Sequence, residues 1–277
     1  MIKEKTIWKL LGKMVMIFGI VLTLGPMYIM IITAFKPLPE AAKSFFALPS
    51  AFYIGNFVEL FSRNKFWNYA ANSLMISTIS MTIVVFFVPT VSYAIARNFN
   101  NRYYRFLYYY ILLGLFVPFQ IIMLPLVKQM TKLNLLNRQG LILLYVSFSL
   151  IRGVFLFVGY IRAIPRDIEE AAYIDGCNVF STYTRIIVHL IKPMIATLMI
   201  IDILWFWNDF MLPLLLLNKS SDYWTLPLFQ YNFKTQYSFN YPMSFTAYFM
   251  SMVPIVIIYC FLQKYIITGI SAGAVKS

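Results

Sequence analysis

Six stretches of this chain are apolar over roughly 20 residues, the length that an α-helix needs to cross the hydrocarbon core of a bilayer. A soluble domain of 277 residues could not bury six such stretches, because a chain that is 61% hydrophobic would expose too much of that surface. We therefore expect an all-α, polytopic membrane protein with about six transmembrane helices. The predicted spans are 14–35, 72–96, 104–127, 139–161, 193–217 and 245–267.

The net charge of +13 indicates the surface that the protein meets. The basic residues lie beside the apolar stretches and do not form one stripe, which argues against nucleic acid. Anionic lipid headgroups are the expected counter-charge. We therefore predict membrane lipid, and no nucleic acid, among the partners.

The segments outside the spans set the predicted topology. Lysines 3, 5, 9 and 13 precede the first span, which favours a cytosolic N-terminus and a span that is retained. Both termini are then cytosolic, with a tail at 268–277. The segment 36–71 is external, and the whole of 1–277 forms one transmembrane domain. Cys177 and Cys260 fall on the cytosolic side or in the inner leaflet, so no structural disulfide is expected.

Two charged residues inside the spans are predicted to form a pair. Arg152 lies nine residues from the cytosolic end of the fourth span, and Asp202 lies nine residues into the fifth. At about 1.5 Å per residue, both are roughly 13–14 Å deep. Because isolated charges are costly at that depth, we expect Arg152 and Asp202 to neutralise each other.

A second polar cluster follows in the fifth span. Trp207, Asn208 and Asp209 combine an aromatic ring with hydrogen-bonding groups, which suits a sugar because its C–H face packs on rings and its hydroxyls need polar partners. The alternative is an aromatic belt in the outer leaflet, with Asn208 and Asp209 capping a break in the helix.

The polar interval 164–193 is predicted to form a bent pair of helices. Pro165 and the acidic residues after it begin the first helix, and Gly176 permits a turn before the second. Ala171 and Ala172 present a small-residue surface to a partner. An ordinary surface loop with an acidic N-terminus and a glycine cap would account for the same features.

The spacing within this interval resembles the EAA loop of permease subunits in binding-protein-dependent ABC importers. The matching residues are Glu170, Ala171, Ala172, Asp175, Gly176, Ile186 and Pro193, of which Asp175 and Pro193 are similar to the sugar-importer versions. His189 stands where that family usually has a proline. The resemblance implies that these seven residues couple the chain to an ATPase.

Other stretches resemble carbohydrate ABC importer permeases of the maltose-permease type over nearly the whole chain. They lie at 24–28, 33–36, 93–97, 117–118, 124–125, 207–210, 263–265 and 273–277. The resemblance implies alternating access in the cytoplasmic membrane of a prokaryote. The implied partners are a second homologous permease, two ATP-binding subunits and an extracytoplasmic solute-binding protein. ATP and Mg belong to the ATPase subunits, since this sequence contains no G-x-x-x-x-G-K-[ST] loop.

Three other functions are alternatives for a membrane protein of this composition. An intramembrane enzyme would need a cluster of catalytic or metal-binding groups, and the single histidine, His189, has no such neighbours, so neither a catalytic nor a metal site is predicted. An ion-coupled secondary carrier could use Arg152 and the two aspartates of the fifth span. An ABC importer permease for another solute is the third possibility.

Overall fold

The chain folds mainly into helices, and those that the structure describes hold 81% of its residues. The computed structural model describes residues 2–63, 65–236 and 240–274, with side chains described for 9–62, 65–231 and 240–261. In chain order the helices are α1 Ile2–Ala34, α2 Leu38–Lys43, α3 Gly55–Arg63, α4 Phe66–Arg97, α5 Arg102–Leu113, α6 Phe119–Lys132, α7 Arg138–Arg162, α8 Asp167–Ile174, α9 Val179–Thr182, α10 Val188–Leu190, α11 Lys192–Asn208, α12 Met211–Leu217, α13 Leu226–Gln236 and α14 Tyr241–Ala274. A π-helix, Tyr183–Ile187, joins α9 to α10, and a 3₁₀ turn, Ser221–Tyr223, precedes α13. Of the predicted tail 268–277, residues up to Ala274 continue α14, and 275–277 lie outside the described residues.

Among the residues that the structure describes, four helices are long and apolar enough to cross a membrane. They are Lys9–Ala34, Phe66–Arg97, Arg138–Arg162 and Tyr241–Phe261, and a fifth span is counted if Val179–Leu190 and Lys192–Asn208, which meet at a bend of 71°, are taken together. The prediction of an all-α membrane protein is confirmed. Two of the predicted spans are each divided between two helices, 104–127 into α5 and α6 and 193–217 into α11 and α12.

Both divided spans break four residues before a proline. Pro118 lies four residues after Gly114, the first residue beyond α5. Pro213 lies four residues after Asp209, the first residue beyond α11. A proline ring clashes with the carbonyl of the residue four positions earlier and offers no amide to it, so a helix stops there. Other prolines lie inside continuous helices, namely Pro26, Pro89, Pro125 and Pro254.

Two compact units lie within the single predicted domain, and the first comprises Met1–Asn68 and Phe229–Pro254. The Asn56 amide donates to the carbonyls of Ala34 and Lys36 at 2.9 and 2.8 Å, which ties α3 to the end of α1. Lys36 is fully buried, and its Nζ donates to the Ser44 carbonyl at 3.0 Å. These hydrogen bonds, from Asn56 in α3 and from Lys36, therefore order the predicted external segment, which contains α2 and α3.

The second unit comprises Tyr69–Leu228 and Ile255–Ser277, and its core lies mainly among α4, α5, α7, α11 and α12. Helices α4 and α7 meet closely at Gly153, where an added Cβ would lie 2.3 Å from Val88 Cγ1. The far ends of the two helices, at Arg97 and Arg162, line one pocket. This packing places the end of α4 beside the loop that follows α7.

Candidate coupling loop and substrate cavity

The loop 164–193 has two limbs, and the first limb is α8. The Gly176 amide donates to the Tyr173 carbonyl at 3.1 Å, and the next amide, of Cys177, donates to the Ala172 carbonyl at 2.9 Å. This pair of bonds is a Schellman motif. Gly176 has a φ of +84°, in the left-handed region that favours glycine. The glycine therefore ends the first limb and turns the chain into the second.

An anchor cluster, formed by Tyr93, Arg97 and Glu169, attaches the first limb to the end of α4. Glu169 Oε1 lies 2.6 Å from Arg97 Nε, and the Tyr93 hydroxyl donates to Glu169 Oε2 at 3.0 Å. Arg97 Nη1 also donates to the Ile164 carbonyl at 3.3 Å, and Arg166 Nη2 donates to the Arg97 carbonyl at 2.9 Å. The paired side chains of Arg97 and Glu169 are only 11% and 7% exposed. Because water is largely excluded, these charge-assisted bonds hold α8 firmly against the spanning helix.

The second limb also contacts α4. It begins at Asn178, whose side chain caps α9 by accepting from the Ser181 amide at 2.8 Å. The π-helix that follows is a form found mostly as single turns, often at functional sites. Within it, the Tyr183 hydroxyl lies 3.1 Å from Thr90 Oγ1, and its ring centroid lies 5.0 Å from that of Tyr93. Tyr93 therefore contacts the first limb through its hydroxyl and the second through its ring.

The predicted coupling residues differ in exposure. Glu170, Ala171, Asp175 and Gly176 are exposed, Ala172 is buried, and Ile186 and Pro193 are half-buried. Ala172 packs within the chain, so Ala171 is the small residue that a partner can reach. His189, the departure from the family pattern, is exposed near the end of α10. The sequence interpretation named Glu170 and missed its buried neighbour Glu169, which makes the contact with α4.

The tip of the loop carries an apolar surface that the sequence interpretation also missed. Ile174, Val179 and Phe180 are 86%, 62% and 75% exposed, and they flank the turn at Gly176. Ile174 lies outside every candidate span, and Val179 and Phe180 lie at the first turn of the bent helix pair, next to the polar turn at Gly176. Large exposed apolar side chains in such a position mark an interaction surface. The signal in the sequence was the apolar residues on both sides of a glycine turn.

The two charges inside the spans form an ion pair. Arg152 Nη2 lies 2.8 Å from Asp202 Oδ1, and the two side chains are 35% and 0% exposed. The Arg152 guanidinium also lies over the Trp205 ring, 4.3 Å from its centroid, which adds a cation–π contact. Each charge neutralises the other, so the arrangement gives no specific support to ion coupling.

A cavity of about 350 Å³ lies beside this pair. Aromatic rings of Phe119, Phe148 and Trp205 line it, together with the polar groups of Arg152 and Asp209. Phe148 and Trp205 meet edge to face with centroids 6.3 Å apart. The cavity therefore offers flat apolar surfaces next to a few hydrogen-bonding groups, the composition of a small-molecule site.

The three predicted pathway residues occupy different positions. Asp209 lines the cavity, Trp207 is buried at 4% exposed, and Asn208 is exposed, with its amide donating to the Leu204 carbonyl at 2.8 Å. Asp209 accepts from the Tyr145 hydroxyl at 3.1 Å and from the amide that begins α12 at 3.1 Å. Asp209 thus both caps a helix break, as the alternative interpretation required, and faces the cavity.

No group of three or more histidine, cysteine, aspartate or glutamate side chains that could hold a metal ion occurs among residues 9–62, 65–231 and 240–261. Neither Cys177 nor Cys260 takes part in a disulfide within the part of the chain that the structure describes.

Comparison with known proteins decides the family. The family described as "Binding-protein-dependent transport system inner membrane component" matches residues 89–271, about two thirds of the chain. This chain belongs to that family. The permease is accordingly a multi-pass membrane protein and a transport subunit, and the family implies an ATPase and a solute-binding protein as its partners.

Curated relatives align along nearly the full length of the permease. "Multiple sugar-binding transport system permease protein MsmG" of Streptococcus mutans is 44% identical over 260 residues, covering 93% of this chain and 94% of that protein. "Probable starch degradation products transport system permease protein AmyC" of Thermoanaerobacterium thermosulfurigenes is 34% identical over 261 residues, covering 93% and 94%. The resemblance to carbohydrate ABC importer permeases is confirmed.

A solved structure shares the fold of the permease. It is a chain in the crystal structure of a bacterial ABC transporter involved in the import of the acidic polysaccharide alginate, with a TM-score of 0.83 and 20% identity. The match covers 95% of this chain and 97% of that one.

Proposed function

We propose that the permease is one subunit of an ATP-driven importer that moves a sugar or oligosaccharide across the cytoplasmic membrane of a prokaryote by alternating access. The names of the two relatives, one for multiple sugars and one for starch degradation products, support a carbohydrate substrate. The anchor cluster carries the mechanistic part of the proposal, because it bonds an exposed loop directly to the end of a spanning helix. Motion imposed on the loop then moves that helix.

The proposed assembly contains this permease, a second homologous permease, two ATP-binding subunits and an extracytoplasmic solute-binding protein. ATP and Mg would be held by the ATP-binding subunits, and no cofactor by this chain. The exposed tip at Ile174, Val179 and Phe180 is the proposed contact with an ATPase. Glu170 and Ala171 are exposed on the same loop and would complete that contact, while Gly176 keeps its bend.

The orientation that fits this assembly has both termini and loop 164–193 in the cytosol. Its test is labelling from outside the cell with a membrane-impermeant maleimide, after Cys177 and Cys260 have been replaced by serine. We expect Ser221→Cys to be labelled and Asn178→Cys to be protected until the cells are opened, since both positions are exposed in the fold. Labelling of Asn178→Cys in intact cells would reverse the proposed topology.

The cavity beside Arg152 is the proposed sugar contact of this subunit. The ring of Trp205 and that of Phe148 can pack on the C–H face of a sugar, and Asp209 can accept from a hydroxyl. The Arg152 charge is already neutralised by Asp202. A neutral sugar therefore fits the cavity better than a charged one.

The decisive experiment is ATP hydrolysis by the complex reconstituted in liposomes with its binding protein, across a panel of neutral oligosaccharides. We expect one sugar class to stimulate hydrolysis and to be taken up. Trp205→Leu is expected to raise the half-saturating sugar concentration on the order of threefold to tenfold, the worth of one aromatic contact. Trp67→Leu, an exposed tryptophan outside the cavity, is the matched control. Stimulation by amino acids alone, or uptake driven by an ion gradient without ATP, would overturn the proposal.

A further inference from the structure

A second pocket lies where α4 and α7 end, and arginine side chains dominate it. This arginine pocket, of about 290 Å³, is lined by Arg97, Arg162, Arg166, Asn100 and Phe99 together with residues 163–165. Its volume corresponds to on the order of ten water molecules at about 30 Å³ each. It is therefore large enough for a phosphate group with part of the molecule that bears it.

The pocket has unused capacity to bind an anion. Three guanidinium groups line it, and the one carboxylate paired with them, that of Glu169, leaves two positive charges uncompensated. Arg97 Nη2 is buried and has no hydrogen-bond partner among the described residues. Within the same described residues, neither Arg162 nor Arg166 forms an ion pair with a carboxylate. Two exposed arginines beside one buried guanidinium nitrogen without an acceptor favour an oxyanion, and phosphate suits the planar fork of arginine.

The surroundings of the pocket place it at a membrane boundary. It lies at the ends of two helices that are long enough to span a bilayer, Phe66–Arg97 and Arg138–Arg162. Phe99 lies under the Arg162 guanidinium, 4.1 Å away, and packs against Tyr109, which is itself 56% exposed. On the same helix as Tyr109, Tyr103 and Phe106 are 65% and 68% exposed, which is typical of an aromatic belt at the headgroup level.

We propose that the arginine pocket binds the phosphate of an anionic phospholipid headgroup, with the exposed Arg162 as its donor and the partly buried Arg97 guanidinium adding positive charge beside it. The proposal rests on the orientation given above, because it places the pocket at the cytosolic leaflet, where anionic lipids attract basic residues. The same Arg97 holds Glu169 of the coupling loop through its Nε. A bound headgroup would therefore contact the same arginine that holds the loop.

The test is native mass spectrometry of the purified complex, titrated separately with phosphatidylglycerol, phosphatidylcholine and inorganic phosphate. We expect the wild type to retain phosphatidylglycerol in preference to phosphatidylcholine, and Arg162→Gln to weaken that retention about fivefold to tenfold, as expected for one basic residue at an anionic surface. Arg162→Lys, which keeps the charge, should recover part of the loss. Arg102→Gln removes an exposed arginine that does not line the pocket and should leave retention unchanged.

Four results would contradict the proposal, and two of them would identify a different occupant. Equal retention of the two lipids, or no effect of Arg162→Gln, overturns the proposal. Displacement of phosphatidylglycerol by millimolar inorganic phosphate, with phosphate alone bound by the wild type but not by Arg162→Gln, overturns it in favour of a free anion. Loss of the ATPase subunit from Arg162→Gln, with lipid retention intact, overturns it in favour of a protein contact. Lipid retention does not depend on transport, so the outcome is readable even if the substrate is not a sugar.

Discussion

Replacing Arg152 with alanine is expected to deplete the permease from membranes, because the change leaves Asp202 charged and without its partner. Asp202 is completely buried and accepts its only described guanidinium bond from Arg152 at 2.8 Å. Removing one member of a buried ion pair costs about 3–5 kcal/mol. That is a large part of the roughly 5–15 kcal/mol that stabilises an ordinary folded protein. The measurement is the steady-state amount and half-life of the permease in membranes.

The two members of the pair should not be equally sensitive. In Asp202→Asn, Arg152 remains partly exposed to the cavity and keeps its contact with the Trp205 ring. We therefore expect the amount of permease to fall less than in Arg152→Ala. The double variant, with alanine at both positions, should recover part of the amount lost by Arg152→Ala alone. Lys132→Ala, at an exposed position on α6, is the control for loss of a positive charge. A double variant as depleted as the single one would contradict the energetic importance of the pair.

Glu169→Ala is expected to separate ATP hydrolysis from transport, with both activities compared per amount of permease in the membrane. The substitution removes the acceptor of both the Arg97 and the Tyr93 bonds, so α8 loses its anchor on α4. A hydrogen bond to a charged group contributes about 1.5–3 kcal/mol, so the anchored state should become about tenfold to a hundredfold less favoured. Residue 169 lies outside the spans, which predicts normal insertion. ATP hydrolysis and sugar uptake, measured in the same proteoliposomes, give the coupling ratio.

The control for Glu169→Ala is Asp167→Ala, which removes an exposed carboxylate from the same first turn of α8. It should keep the wild-type ratio of uptake to hydrolysis. Exchanging the charges, with Arg97→Glu and Glu169→Arg together, should restore more uptake than either reversal alone. A wild-type ratio in Glu169→Ala would show that the ion pair does not transmit motion.

Much of the loop could be predicted because its signals are local. The bend at Gly176 follows from one residue type, and the pairing of Arg152 with Asp202 follows from counting residues along two helices. The choice between Glu169 and Glu170 could not be made in this way. Which of two adjacent carboxylates points inward depends on Arg97, 72 residues away from Glu169, and so on how α4 packs.

The broken spans show a different limit. A 20-residue apolar stretch reports that a segment can lie in a membrane, and it does not report whether the segment is one helix. Prolines at 118 and 213 break their helices, whereas Pro89 lies within an unbroken α4. Tertiary packing decides how each proline is accommodated. The arginine pocket could not be predicted from the sequence either, since its three arginines come from the ends of two helices and from the loop that follows.

The double contact of Tyr93 limits how this protein can be recombined with its relatives. Its hydroxyl meets one limb of the coupling loop and its ring meets the other, while Thr90 and Arg97 add contacts on either side. The last two turns of α4 and loop 164–193 therefore form one exchangeable module, although about 70 residues separate them in the chain. A chimera that imports the loop from another permease, in order to recruit a different ATPase, needs residues 90–97 from the same donor.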